Sequence, residues 1–297
     1  MRSIVVIHTG GIGDFLQTLP VLEALRLKWP GATVTIIGHP ERGELARLGG
    51  LADEVADFET SGCHRLFAPD AEPQAAPRTL VAADLILNFL PHEIFNAGLS
   101  RITRGRVVAV RSFPTAGECR KPVAQFVYDQ VSSKLGLPAT VAVPHLRVQC
   151  KERAEQRVAA IHPGSGASEK NWPADRFREL AARLSDRGLT VRWILGPAEE
   201  DSATLRAMAA TEDCMAHRRL TDLARLLASV QLYVGNDSGI THLAAAVAAP
   251  TVALFGPSEA AVWGPRGKNV RVVRSTTGHM ADLSVNEATN GVEGLLG

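Results

Sequence analysis

Two stretches of the chain follow one hydrophobic plan. Residues 4–7 form an unbroken apolar run, and glycines follow at 10, 11 and 13. Leu16, Leu19, Leu22 and Leu25 then recur at helical spacing, and residues 33–37 return to β-branched positions. Residues 158–161 open a second copy. There a turn rich in Gly and Ser spans 164–168, Pro173 is placed for a helix start, Phe177, Leu180 and Leu184 share a helical face, and 190–195 read as a strand. Short apolar runs bounded by glycine predict buried strands, and a recurrence every three to four residues predicts an amphipathic helix. Strand, glycine turn, helix, strand is a βαβ unit whose right-handed crossover makes its strands parallel. Both copies carry Ile-His-x-Gly at the turn, at 7–10 and 161–164.

The same reading predicts strands at 85–89 and 107–110, then at 232–234, 251–255 and 270–273. A last helix is expected over 284–296, with weak periodicity and Gly291 inside it. The fold class is therefore α/β, with two facing doubly wound, Rossmann-like domains. A charged stretch at 146–157 places the boundary, giving domains 1–150 and 151–297. A chain of 297 residues suits two cores of about 150 residues each.

Composition narrows the choice of partners. Net charge is +1, with 15 basic against 14 acidic residues in 1–150 and 17 against 17 in 151–297, so no broad basic field points to nucleic acid. The N-terminus reads as a strand rather than a signal peptide, and no apolar run is long enough to span a bilayer, so a cytoplasmic protein is expected. Cys63, Cys119, Cys150 and Cys214 are scattered, as expected of thiols in a reducing compartment. One local departure is the run Arg101, Arg104, Arg106, Arg111, Arg120 and Lys121, opposed only by Glu118. It is either a solvated loop or a site for an anionic group or acidic membrane surface.

The densest chemistry lies in "GNDSGITHLAAAVAAP", residues 235–250. A strand leads into a polar turn and then a helix of small residues. Amides at that helix start, with the Ser238 and Thr241 hydroxyls, suit a phosphate. A plain N-cap by Asp237 or Ser238 is the alternative. Asp14 begins the helix after the first glycine turn and is either its cap or a reactive carboxylate. Lys170, in "HPGSGASEKNWP", is either a solvated lysine or the counter-charge of a diphosphate. Several motifs are absent: Leu16 stands where a dinucleotide fingerprint needs its third glycine, there is no P-loop, and "GNDSG" is not a nucleophile elbow. No histidine pair has zinc spacing and no D-x-D pair occurs, so neither metal nor cofactor is expected.

Three segments together, "GGIGDFLQTLPVLEALR", "AAIHPGSGASEKNWPADRFRELA" and "VGNDSGITHLAAAVAAPTVALFGPSEAAVWGP", resemble the ADP-heptose:lipopolysaccharide heptosyltransferases, glycosyltransferase family 9. The resemblance runs from Ile4 to about Gly267. It implies a GT-B fold and inverting, metal-independent transfer of a heptose or related sugar from an ADP-sugar to a lipopolysaccharide-core or related glycolipid. It implies Asp14 as general base and Lys170 on the diphosphate. Gly164, Ser165, Asp237, Ser238, Gly239, Ile240, Thr241 and His242 would join Lys170 around the donor, with Glu199 on the ribose. Arg104, Arg111, Arg120 and Lys121 would face an anionic acceptor, with peripheral contact at the inner face of the membrane. The tail at 275–288 departs from many members in lacking cysteine. A UDP-sugar enzyme of the same fold, or a silent nucleotide-sugar-binding protein, stays open as the alternative.

Overall fold

The structure, a computed structural model, describes residues 1–68, 76–115, 117, 120–149, 157–196, 214–216 and 219–296. It divides into two compact units, Met1–Arg147 and Val148–Gly297. Among the described residues no helix is long and apolar enough to cross a membrane.

Unit 1 is built on a parallel sheet of five described strands: β1 (Ser3–His8), β2 (Thr33–Gly38), β3 (Glu54–Asp57), β4 (Leu85–Asn88) and β5 (Arg106–Ala109), in the spatial order β3-β2-β1-β4-β5. Strand β1 is central and its residues 4–7 are fully buried, so the apolar run is continuous rather than alternating. Helices α1 (Ile12–Leu16), α2 (Leu19–Lys28), α3 (Pro40–Leu48), α4 (Arg78–Val81) and α5 (Glu93–Ile102) connect the strands, and α6 (Val123–Leu135) follows the last of them. The single amphipathic stretch expected after Gly13 is two helices. Pro20 has no N–H to bond back to residue 16, so the helix must restart, and Thr18 Oγ1 donates to the Phe15 carbonyl at 2.6 Å at the break.

Unit 2 has a parallel sheet of six described strands: β6 (Val158–His162), β7 (Thr190–Leu195), β8 (Cys214–Ala216), β9 (Leu232–Asn236), β10 (Thr251–Phe255) and β11 (Val270–Arg274), ordered β11-β10-β9-β6-β7-β8. Its described helices are α7 (Ala174–Asp186), α8 (Leu220–Leu227), α9 (Gly239–Ala246), α10 (Ala260–Trp263) and α11 (Val285–Leu296). Trp172, Phe177, Leu180, Leu184, Leu254 and Val292 share one core. The last helix is real despite Gly291. A Cβ there would lie 2.5 Å from a Val273 methyl, so the glycine is what lets α11 lie flat on the sheet. Its start is set by Glu287, whose carboxylate accepts from the Ser284 amide at 2.8 Å.

Strand β9 also runs further than expected. The strand expected at 232–234 leaves Gly235 and Asn236 to the turn, yet Gly235 pairs with His162 and Ala253, and Asn236 with Leu254. Only glycine fits at 235, because a Cβ would lie 2.4 Å from the Tyr233 hydroxyl.

In each sheet the strand order reverses beside the first strand, between β1 and β4 in unit 1 and between β6 and β9 in unit 2. Crevices at the carboxyl ends of strands open at such reversals, where neighbouring loops diverge. The loops after β1, β6 and β9 therefore stand where a ligand is most readily held.

Candidate functional site

In unit 2 the loops after β6 and β9 meet at the switch point. The first runs through Pro163, a buried Gly164 and Ser165 into a helical turn, Ser168–Lys170, before α7. Lys170 thus ends that turn, four residues before α7 begins at Ala174. Its Nζ lies 2.8 Å from Oδ2 of Asp237, the first residue after β9. The lysine side chain is 34% exposed and the aspartate 9%, a half-sheltered, charge-assisted pair.

The two loops are tied by Asn236, which is fully buried at the end of β9. Its Nδ2 donates to the Pro163 carbonyl at 2.8 Å, and its Oδ1 accepts from the Trp172 amide at 3.1 Å. One amide side chain therefore anchors both ends of the loop carrying Lys170. Trp172 holds the far end, with Nε1 donating to the Leu283 carbonyl at 2.8 Å and its ring edge-on to Phe177. Ser165 Oγ lies 2.7 Å from both the Ala167 carbonyl and Asn171 Oδ1.

Helix α9 starts at Gly239, inside the polar turn expected at 235–239. Of the two candidate caps, Ser238 serves: its Oγ accepts from the Thr241 amide at 3.3 Å, while Asp237 faces Lys170. The Thr241 hydroxyl donates to the Asn236 carbonyl and meets the Tyr233 hydroxyl at 2.9 Å. Helix geometry leaves the amides of Gly239 and Ile240 without intrahelical acceptors. The positive end of the helix dipole and the Lys170 ammonium thus converge on the same turn, an arrangement that favours a phosphate. His242 follows, buried, and Ala244, Ala245 and Ala246 keep the helix close to the sheet. Gly164, Ser165, Lys170 and Asp237–His242 are therefore brought together. Glu199 lies outside the described residues.

In unit 1 the loop after β1 leads into α1, whose third residue is Asp14. Its Oδ2 accepts from the Gly11 amide at 3.1 Å, so the carboxylate does cap α1 and remains half-buried. Arg42, in the first turns of α3, donates through Nη1 to the carbonyls of Thr9, at 3.4 Å, and Gly10. Burial lowers the Arg42 pKa from its usual value, and the charge of Asp14 opposes that shift. Beneath the loop sits His8, 1% exposed, with neither ring nitrogen partnered among the described residues. Burial, reinforced by the Arg42 cation, pushes its pKa down to about 4, so the ring is neutral at ordinary pH. It packs edge-on to Phe15, with centroids 5.4 Å apart, and tilted to Phe89 at 5.3 Å.

The basic cluster does not stay together. Arg104 precedes β5 and lines a cavity of about 650 Å³ with Arg101 and Arg106 at the amino-terminal edge of the sheet. Arg111 follows β5, on the edge that carries Asp14, and a strand of four residues separates the two edges by about 13 Å. Arg111 stacks over Phe126 at 5.2 Å and its amide donates to Gln130 Oε1 at 3.1 Å. Lys121 pairs with Asp129 at 2.9 Å, and Arg120 is exposed beside it.

Sequence reasoning did not single out His8, Arg42, Asn171 or Asn236. The Ile-His-x-Gly pattern marked His8, and Asn236 stood inside the polar turn. Arg42 left no local signal, because its partners are 32 and 33 residues away.

Residues 94–292 match the model of glycosyltransferase family 9 (heptosyltransferase), well over half of the chain. Lipopolysaccharide heptosyltransferase 2 of Escherichia coli K12 is 32% identical over 315 residues, covering 93% of this chain and 89% of that protein. With lipopolysaccharide heptosyltransferase 1 of E. coli O18:K1:H7 the identity is again 32%, over a shorter stretch of 127 residues, 42% of this chain and 39% of that one. The solved structure of E. coli heptosyltransferase WaaC with ADP superposes with a TM-score of 0.79 at 20% identity, over 99% of both chains. That likeness gives the two parallel-sheet units the GT-B fold. The extent of the family match, and a relative alike over nearly the whole chain, place this protein in glycosyltransferase family 9.

Proposed function

We propose that this chain transfers a heptose from an ADP-sugar to a sugar hydroxyl of the lipopolysaccharide core, with inversion and without a metal. What carries the reading is the Lys170–Asp237 pair at the start of α9. The leaving group is a nucleoside diphosphate, whose charge grows as the bond from the anomeric carbon breaks. An ammonium and a helix N-terminus supply fixed positive potential there, the role a metal plays elsewhere. As the diphosphate docks, Lys170 exchanges the Asp237 carboxylate for phosphate oxygens. Asp14 takes the proton from the acceptor hydroxyl as it attacks the anomeric carbon from the face opposite ADP. The acceptor oxygen–carbon bond forms, the carbon–phosphate oxygen bond breaks, and ADP departs with the electron pair.

Arg111, Arg120 and Lys121 are assigned to anionic groups of the acceptor. Arg104, at the other edge of the sheet, is left out of that role. The relatives named as lipopolysaccharide heptosyltransferases, and the neighbour solved with ADP, support the choice of donor and acceptor class.

Calorimetric titration with ADP, UDP, GDP and NAD, with and without EDTA, tests the donor side. ADP binding that ignores EDTA and weakens at least tenfold in Lys170→Ala is expected. A preference for UDP refutes the donor, and loss of binding in EDTA refutes metal independence. On the acceptor side, Asp14→Asn abolishes transfer with ADP affinity intact; retained turnover removes Asp14 as base.

A further inference from the structure

The contacts of Arg42 and Asp14 converge on one peptide group. The carbonyl oxygen that Arg42 Nη1 binds belongs to Gly10, and the amide that Asp14 Oδ2 accepts from belongs to Gly11. These are the two ends of the plane that joins Gly10 to Gly11. In a trans peptide the C=O and N–H point in opposite directions, so a cation holds one side and an anion the other. Each bond is charge-assisted, and an amide polarised at its oxygen is a better donor at its nitrogen. A Gly–Gly peptide is the least restrained in any chain, because neither flanking residue has a Cβ to bar a flip. Gly10 has no room for a side chain, since a Cβ would lie 2.9 Å from His8 Cε1 and 3.3 Å from Asp14 Oδ2. Position 10 thus has to be glycine, and the Gly–Gly peptide that follows needs an external restraint.

We propose that Arg42 is the positioning residue for Asp14, acting through the Gly10–Gly11 peptide. The guanidinium reaches from α3 across the carboxyl edge of the sheet and fixes that plane. The plane in turn orients the carboxylate that it donates to. Arg42 touches neither donor nor acceptor in this scheme. Its catalytic part rests on the reading of Asp14 as the base.

The test uses the full chain, with Arg42→Met, Arg42→Lys and Asp14→Asn beside the wild type. In glycine-labelled protein, hydrogen exchange of the Gly11 amide is expected to rise at least tenfold in Arg42→Met and to fall back part way in Arg42→Lys. Transfer from ADP-heptose should lose about 10- to 100-fold in kcat in Arg42→Met, with the donor KM unchanged, and recover partly in Arg42→Lys. A lost melting temperature without that split between kcat and KM marks Arg42 as merely structural and overturns the proposal. Unaltered Gly11 exchange in Arg42→Met overturns it too, whatever the turnover. If Asp14→Asn keeps full activity while Gly11 exchange still depends on Arg42, the reading of Asp14 fails and the hold of Arg42 on the peptide stands.

Discussion

His8 makes the stability of unit 1 depend on mildly acid pH. The ring is buried under the first glycine turn, and burial and Arg42 hold its pKa at about 4 against 6.5 when exposed. The folded state therefore binds fewer protons than the unfolded state between those two values. A depressed histidine pKa contributes stability that is complete above 6.5 and is lost as pH falls toward 4. Linkage over this interval gives a loss of about 2 kcal/mol between pH 7.5 and 5, and about 3 kcal/mol by pH 4. Carboxylates titrate in the same range, so a wild-type curve alone is ambiguous. The comparison is with His8→Phe, which keeps an aromatic ring between Phe15 and Phe89 and cannot titrate. Urea unfolding followed by circular dichroism at half-unit intervals from pH 7.5 to 4.5 supplies both curves. His8→Phe is expected to gain about 2 kcal/mol relative to wild type by pH 5, whatever its offset at neutrality. If unfolding resolves into two transitions, the gain belongs to one of them. Curves that stay parallel over the whole range would falsify the claim that His8 is neutral because it is buried beside a cation.

Other substitutions probe the packing around both switch points. Asn236→Ala strands the Pro163 carbonyl and the Trp172 amide, and should cost about 3 kcal/mol in urea unfolding. Asn236→Asp, though nearly isosteric, should be at least as damaging because it sets a carboxylate against that carbonyl; a milder effect than Ala refutes the bonding scheme. Gly38→Ala places a Cβ 2.0 Å from the His8 carbonyl and should leave little folded protein. Gly31→Ala, with nothing within 4 Å, should change the melting temperature by no more than a degree or two. A harmless Gly38→Ala would contradict the close approach of β1 and β2.

The parts that could be read from the sequence were those governed by local physics. The apolar run 4–7 announced a buried strand, because a branched-aliphatic run this short, bounded by glycines, is too brief for a buried helix. The polar turn at 235–239 announced a helix start, because both Asp237 and Ser238 are good caps. Where reading failed, the deciding contact was either one residue away or very far. Pro20 splits a helix that the leucine spacing alone makes continuous. Gly235 and Asn236 look like turn residues by composition, yet β10 pairs with both, and β6 with Gly235, and the pairing keeps them extended. Arg42 is an ordinary surface arginine to any local test, and only the parallel order of β1 and β2 brings it to Gly10. The run from Arg101 to Lys121 looks like one patch in sequence, but a strand passes through it and carries its ends to opposite edges.

The place of β1 also shapes how the chain is made. Its partner on one side, β2, emerges about 30 residues later, but its partner on the other side is β4, with Ile4 paired to Leu85 and Ile7 to Asn88. At about 5–20 residues per second, the ribosome takes roughly 4–16 s to deliver that second partner. Throughout that interval one of the most apolar edges in the nascent chain is open to other strands. Slow codons between the two strands would lengthen the exposure, and a chaperone that shields short branched-aliphatic runs would find a binding site at residues 4–7.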